Sequence, residues 1–272
     1  MRAVVAERRG VSDTAVDQVD PVGAAARARR DWWVAALRRE GADFAAAATA
    51  ADLDDDVPTC PGWTVRRLVS HLSRVHRSGL NGVVDGTVEP PALAARPPED
   101  GKLLSWYADG LARLLDVLAD AEPHLPDFWP RRLAHETTIH RFDAELAAHS
   151  KAGGFDPELA ADGVGEVVES MLALRAADEP LASVRGDVLV ECTDTGDSWL
   201  VRLEPGRVRA ERLSGPQRRP RRTDARIAGP AADLYLVLWG RLALDPAEPG
   251  RTRRGRVDVS GDRALAELVR TG

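Results

Sequence analysis

PRRLAHETTIHRFDAELAAHS, residues 130–150, carries the pattern on which the fold prediction depends. Alternating steps of three and four residues place one stripe of side chains along a helix here. That stripe consists of Leu133, Glu136, His140, Asp143 and Ala147. Its ends are apolar and its centre is polar, and burying a charged group is costly unless that group is satisfied. The stretch therefore predicts a helix in which Glu136 and His140, one turn apart, are candidate metal ligands.

A second helix, predicted over about 65–78, also places a histidine on an apolar stripe. Residues 79–101, which follow it, are rich in Gly and Pro and are predicted to form a connecting loop. Thr64 is a suitable N-cap, because its hydroxyl can accept from a free N–H of the first turn. The stripe consists of Leu68, His71 and Val75. His71, Glu136 and His140 thus each occupy a position at which their own helix favours an apolar residue. Helical bundles build internal metal sites from such positions.

The ligand set indicates which ions would fit. Two neutral imidazoles and one carboxylate suit Zn²⁺, and three protein ligands leave a fourth position open, as in catalytic zinc sites. The same set could hold Ni²⁺, Fe²⁺ or Mn²⁺. The residues therefore predict a divalent metal site, with zinc as the favoured ion.

Several residues near this site leave alternatives open. Asp143 lies about one turn beyond the ligand histidine, where it could orient that imidazole or form a salt bridge with an arginine of another element. Cys60 precedes the second helix and is either structural, a further metal ligand or a redox thiol. Trp63 is expected to anchor the same loop on the bundle. His135 points about 100° away from Glu136 and is left out of the site.

The remaining N-terminal segments complete a bundle. Residues 1–20 are polar and non-periodic, which predicts a loose extension. Apolar periodicity predicts a first helix from Pro21 to about Leu53 and a third over about 103–121. Asp156-Pro157 starts a fifth helix that packs against the bundle or leads out of it. The predicted helical bundle covers residues 21–178.

Beyond residue 178 the apolar period changes from 3.6 to 2, which indicates strands. Three alternating runs joined by short turns predict an antiparallel meander, with the third run weaker. A short strand follows at 225–228, then a helix after Gly229-Pro230, a last strand and a closing helix. Residues 186–272 are therefore predicted to form a small α+β domain. The predicted fold class is multidomain, α followed by α+β.

The composition restricts the class of protein. At 272 residues the chain is long enough for two domains. Its net charge of −6 leaves no basic excess, so no nucleic-acid partner is expected, and the basic run at 218–222 is interpreted as a solvated loop. No apolar run predicts a membrane span or a signal peptide. Two distant cysteines, Cys60 and Cys192, favour a reducing, cytoplasmic location.

The assembled motifs resemble a known family. VPTCPGWTVRRLVSHL (57–72) and RLAHETTIHRFDAELA (132–147) are similar to segments of the mycothiol-dependent maleylpyruvate isomerase family. TDARIAGPAADLYLVLWGR (223–241) and VDVSGDRALAELV (257–269) resemble its C-terminal domain. The resemblance implies a DinB-type four-helix bundle that carries a divalent metal, followed by a sterol-carrier-protein-like α+β domain. The motif match gives the same three ligands, His71, Glu136 and His140.

The resemblance also implies a thiol chemistry. The characterised isomerase of this family uses mycothiol as cofactor, and the metal would bind its sulfur in the open position as a reactive thiolate. The thiolate adds to an electrophilic small molecule, as in cis–trans isomerisation of maleylpyruvate, or stays attached, as in an S-transferase. Four arginines are candidates for holding an acidic substrate: Arg66, Arg67, Arg131 and Arg132. A non-catalytic metal or small-molecule binding protein, and a redox or metal sensor that uses Cys60, are the alternatives from other classes.

Overall fold

Four long helices form the N-terminal part of the computed structural model. The structure describes residues 21–88, 95–120, 128–149, 151–213, 220, 222–244 and 256–271. The predicted extension at 1–20 and most of the basic run at 218–222 lie outside these residues. The helices are α1 (Pro21–Ala50), α2 (Val65–Asp85), α3 (Leu103–Asp120, after a 3₁₀ turn at Asp100–Lys102) and α4 (Phe128–His149).

The four helices pack as the predicted bundle. Helix α4 lies against α1 and α2, and α3 lies against the same two helices from the other side. Their apolar stripes meet in one buried core, which includes Leu37, Phe44, Leu68, Leu72, Tyr107, Leu114 and Leu133. None of the helices in the described parts of the chain is long and apolar enough to cross a membrane.

Helix α2 extends further than the sequence predicted. The prediction ended it near Ser78 and assigned residues 79–101 to a loop because they are rich in Gly and Pro. The helix in fact continues to Asp85, so this part of the prediction was wrong. Its glycines serve close packing: a Cβ on Gly82 would lie 2.4 Å from the Trp129 ring. The helix ends at Gly86, whose φ of 66° is a left-handed conformation that glycine readily adopts.

The C-terminal part is built on a mixed five-stranded sheet. Helix α5 (Pro157–Glu166) leads through a π-helical turn (Val167–Met171) and the short α6 (Leu172–Leu174) toward it. The remaining elements are β1 (Gly186–Cys192), β2 (Ser198–Glu204), β3 (Arg207–Arg212), β4 (Ala225–Gly229), α7 (Ala231–Leu238), β5 (Asp258–Gly261) and α8 (Arg263–Leu268). The strand order is β3-β2-β1-β4-β5. The predicted meander is confirmed as β1-β2-β3, and β4 pairs in parallel with β1.

The inner face of the sheet shares one core with α5, α7 and α8. Side chains of α5 such as Val164 lie in that core, and so do Ile139 and Phe142 from the second half of α4. The apolar face of the sheet is thus filled by the chain's own helices. Helices α4 and α5 consequently join the two parts of the molecule. The predicted boundary at residues 178–186 remains a prediction.

His76 in the bundle core makes stability depend on pH. It is fully buried, its Nε2 lies 2.9 Å from Thr137 Oγ1, and burial lowers its pKa from 6.5 to about 3. Between those two values the unfolded chain binds more protons, so stability falls as the pH falls. From about pH 7 to pH 5 the loss is about 2 kcal/mol for this histidine.

Urea unfolding at both pH values measures this effect. We expect His76→Gln to reduce the difference between the two unfolding free energies by that amount. His149→Gln, at an exposed position near the end of α4, is the control and should leave the difference unchanged. The same pH dependence in wild type and in His76→Gln would contradict the prediction.

Candidate metal centre

The structure brings the three predicted ligands together between α2 and α4. His71 Nε2 lies 3.0 Å from Glu136 Oε1, and His140 Nε2 lies 3.3 Å from the same oxygen. Ligand atoms of all three residues lie within 4.8 Å of one another. The two imidazole rings meet edge to face, with centroids 5.1 Å apart. Two imidazole nitrogens and one carboxylate oxygen thus converge on one point, which is the donor arrangement that a small divalent ion needs.

Protonation of the two histidines also suits a metal ligand. Burial, together with the nearby His140 and the positive charge of Arg74, lowers the pKa of His71 from 6.5 to about 3. Burial likewise lowers the pKa of His140, although its hydrogen bond to Asp143 opposes that shift. Both rings are therefore neutral at pH 7, and neutral imidazole is the form that binds a metal. The site is most open beside His71, whose side chain is 26% exposed.

Asp143 is a fully buried acceptor next to the site. Its carboxylate accepts from Thr59 Oγ1 at 2.5 Å, from His140 Nδ1 at 2.9 Å and from Arg241 Nη2 at 2.8 Å and Nε at 3.1 Å. Cys60 Sγ lies 3.4 Å away. Burial opposes ionisation of Asp143, but Arg241 and His140 outweigh it and hold its pKa well below the ordinary range. Both roles left open by the sequence are thus realised, because Asp143 orients the imidazole and pairs with an arginine.

This arrangement fixes the tautomer of His140. An ionised carboxylate only accepts hydrogen bonds, so the Nδ1 beside Asp143 carries the ring proton. The Nε2 then has a free lone pair directed at Glu136. Carboxylates commonly hold metal-binding histidines in this way.

The loop before α2 covers one side of the site. The Trp63 ring meets the His71 ring edge to face, with centroids 5.0 Å apart, and stacks on the His140 ring at 6.1 Å. The Arg67 guanidinium lies over the Trp63 ring, 4.6 Å from its centre. Gly62 has a φ of 75°, which allows the turn. Thr64 Oγ1 accepts from Arg67 N–H, as the predicted N-cap. Trp63 therefore forms a wall of the site as well as anchoring the loop.

Cys60 is a protonated thiol in its present surroundings. Burial and the neighbouring Asp143 carboxylate together raise its pKa to about 12. Its Sγ accepts from Arg241 Nη2 at 3.4 Å. Cys60, His140 and Asp143 form a second group whose ligand atoms are close enough for a metal. The hydrogen bonds of Cys60 Sγ to Asp143 and Arg241 fit the structural interpretation of this cysteine.

Comparison with known proteins identifies the family of the chain. The mycothiol maleylpyruvate isomerase N-terminal domain model matches residues 34–145, and the MDMPI C-terminal domain model matches residues 158–268. The chain belongs to the mycothiol maleylpyruvate isomerase family. All three predicted ligands lie within the first match. A search of curated proteins found no match.

Solved structures of a family protein share the fold. A crystal structure of mycothiol-dependent maleylpyruvate isomerase superposes with a TM-score of 0.53 at 13% identity, over 82% of this chain and 96% of that one. A point mutant of the same isomerase gives 0.54 at 11% identity with the same coverage. The helical region followed by the sheet domain is therefore the architecture of this family.

The four candidate arginines have different surroundings. Arg66 is on the surface and pairs with Asp54 and Asp100, and Arg131 pairs with Asp162 and Glu169. Neither pair includes a predicted ligand. Arg132 contacts Glu136 directly, and Arg67 is exposed above Trp63. Only the last two therefore border the site.

Sequence reasoning missed the residues that support the predicted ligands from distant parts of the chain. Arg241, which follows α7, is 98 residues from Asp143 along the chain, and Glu166 on α5 is 34 residues from Arg132. Helical periodicity relates residues of one helix only, so it contains no signal for these pairs. His135 is buried against Asp162, with its Nε2 2.8 Å from Oδ2, in agreement with its exclusion from the site.

Proposed function

We propose that the chain is a divalent-metal-dependent enzyme that uses mycothiol, with His71, Glu136 and His140 as the metal ligands and zinc as the ion. The observation that carries this proposal is the convergence of two imidazole Nε2 atoms on Glu136 Oε1, at 3.0 and 3.3 Å. Membership of a family named for mycothiol chemistry supports the choice of thiol. The substrate is a small electrophilic molecule.

The bound ion and mycothiol would together supply a nucleophilic thiolate, whose reversible addition to an activated cis double bond allows rotation about the resulting single bond. The protein's own residues shape the site in which that thiolate would be held. Asp143 keeps a proton on His140 Nδ1 and so keeps Nε2 available. Trp63 shields the two histidines from solvent on one side, and the opening beside His71 is the route by which a thiol and a substrate enter.

Arg67 is the residue we assign to an acidic group of the substrate. Its guanidinium is exposed, lies over Trp63, and has no carboxylate partner among the described residues. Maleylpyruvate is a dicarboxylate, so a cation at the entrance matches its charge. Arg74 adds positive charge near His71. Transfer of the thiol to an electrophile would use the same residues, and product analysis distinguishes the two reactions: a free trans product indicates isomerisation, and a stable thioether indicates transfer.

Removal of the metal should abolish the activity. The purified protein is incubated with mycothiol and maleylpyruvate, or with a panel of other electrophiles, before and after treatment with a chelator. We expect turnover that requires mycothiol, that falls by more than about 100-fold without metal, and that returns on addition of Zn²⁺. Glutathione in place of mycothiol tests the choice of thiol. Turnover that is insensitive to the chelator would contradict metal dependence, and no thiol-dependent reaction with any compound would contradict the enzyme assignment.

A further inference from the structure

Arg132 connects a proposed metal ligand to the C-terminal part of the chain. It lies on α4 one turn before Glu136 and donates from Nη2 to Glu136 Oε2. Its Nη1 donates to Glu166 Oε2 on α5 at 2.9 Å. The guanidinium also lies over the Trp239 ring, 5.1 Å from its centre, just after α7. One side chain thus touches α4, α5 and the end of α7.

The contact with Arg132 determines which oxygen of Glu136 is available. Oε1 faces His71 and His140, whereas Oε2 is bound by the guanidinium. A carboxylate that is free to rotate would present either oxygen, or both, to its neighbours. Because one oxygen is held by a planar, rigid donor, the other is kept in the direction of the two imidazoles.

Glu166 in turn fixes Arg132. Its side chain is 3% exposed, and that of Arg132 is 13% exposed. A buried carboxylate retains its charge at lower cost when it is paired, so Glu166 and the guanidinium hold each other in place. The Trp239 ring limits movement of the guanidinium on one face. The orientation of Glu136 therefore depends on Glu166 of α5 and on Trp239 just after α7, which lie outside the bundle.

We propose that Arg132 and Glu166 form a clamp that positions Glu136, and that the affinity of the site for a divalent metal depends on this clamp. Arg132 and Glu166 are positioning residues here, since neither is a ligand. The inference rests on the proposed metal site and adds to it the residues that keep the site in its binding geometry.

Arg132→Lys tests the clamp, because lysine retains the positive charge but lacks the two-pronged donor geometry. Arg131→Lys is the matched control: it makes the same change at the next residue of the same helix, where the side chain binds Asp162 and Glu169 instead. Zinc dissociation constants are measured by competition with a chromophoric chelator. We expect about tenfold weaker binding for Arg132→Lys and a change within about twofold for Arg131→Lys. The visible spectrum of the Co²⁺-loaded protein should shift only in Arg132→Lys.

Glu166→Gln provides an independent measurement, and it decides the question if Arg132→Lys does not fold. It removes the charge that holds Arg132 and should also weaken zinc binding several-fold. Zinc binding in Arg132→Lys or in Glu166→Gln as tight as in Arg131→Lys would overturn the clamp. Zinc binding by the wild type that survives His140→Ala, or no zinc binding by the wild type, would overturn the metal site and the clamp with it. The two failures are therefore distinguishable.

Discussion

His140→Ala is expected to remove the divalent metal from the protein. His140 supplies one of three proposed ligand atoms, its side chain is 6% exposed, and Asp143 holds its ring in the binding orientation. Without the imidazole, Glu136 and His71 remain as only two donors, which is fewer than zinc sites use. We expect less than stoichiometric metal after purification and mycothiol-dependent turnover reduced by more than about 100-fold. Metal analysis of the purified protein and the thiol-dependent assay measure these two quantities.

His135→Ala is the matched control for this experiment. His135 lies on the same helix, five positions earlier, and is also buried, but it pairs with Asp162 outside the site. We expect this variant to be destabilised and to retain its metal. Equal loss of metal in both variants would indicate a general disturbance of α4, and an unchanged metal content in His140→Ala would contradict the ligand assignment.

Arg241→Met is expected to reduce both stability and metal affinity. Arg241 donates twice to Asp143, and Asp143 is fully buried. Removing the guanidinium leaves a buried carboxylate without its cation, which costs about 3–5 kcal/mol. The loss also frees Asp143 to move away from His140, so zinc should bind about 10- to 100-fold more weakly. Urea unfolding and chelator competition measure the two effects.

A double-mutant cycle measures the interaction between Arg241 and Asp143 separately from the other effects of each substitution. Asp143→Asn can still accept from His140 but carries no charge, so Arg241→Met and Asp143→Asn together should be more stable than the sum of the two single changes predicts. Arg66→Met is the surface control, because Arg66 also pairs with two aspartates but is solvent-exposed; it should change the unfolding midpoint little. Additive single changes in the cycle would contradict the assigned pairing.

The bundle and the inward position of the three candidate ligands could be predicted because each depends on the periodicity of one helix. A stripe of apolar residues determines which face of a helix is buried, so Glu136, His140 and His71 had to point inward once their stripes were recognised. The predicted strands followed from alternation in the same way. Each of these patterns is local to one helix, and the packing of α2 against α4 then brings the three side chains together.

Other features depend on contacts between distant segments, and the sequence contains no local sign of them. The glycines of α2 have the composition of a loop, but Gly79 and Gly82 allow Leu133 and Trp129 to approach the helix. In the sequence Arg241 is one of many arginines, and only the structure shows that it lies beside Asp143. The inclusion of α5 in the sheet core likewise results from packing and not from a property of the helix alone.

The crowding of donors around Asp143 restricts where protons could travel in the proposed reaction. A carboxylate has about four lone-pair directions, and five donor atoms already share them: Thr59 Oγ1, His140 Nδ1, Cys60 Sγ, and Nε and Nη2 of Arg241. It has no free position from which to accept a proton from a reacting molecule. Asp143 therefore acts as a fixed negative charge, and any proton exchanged with the substrate moves through another group or through solvent.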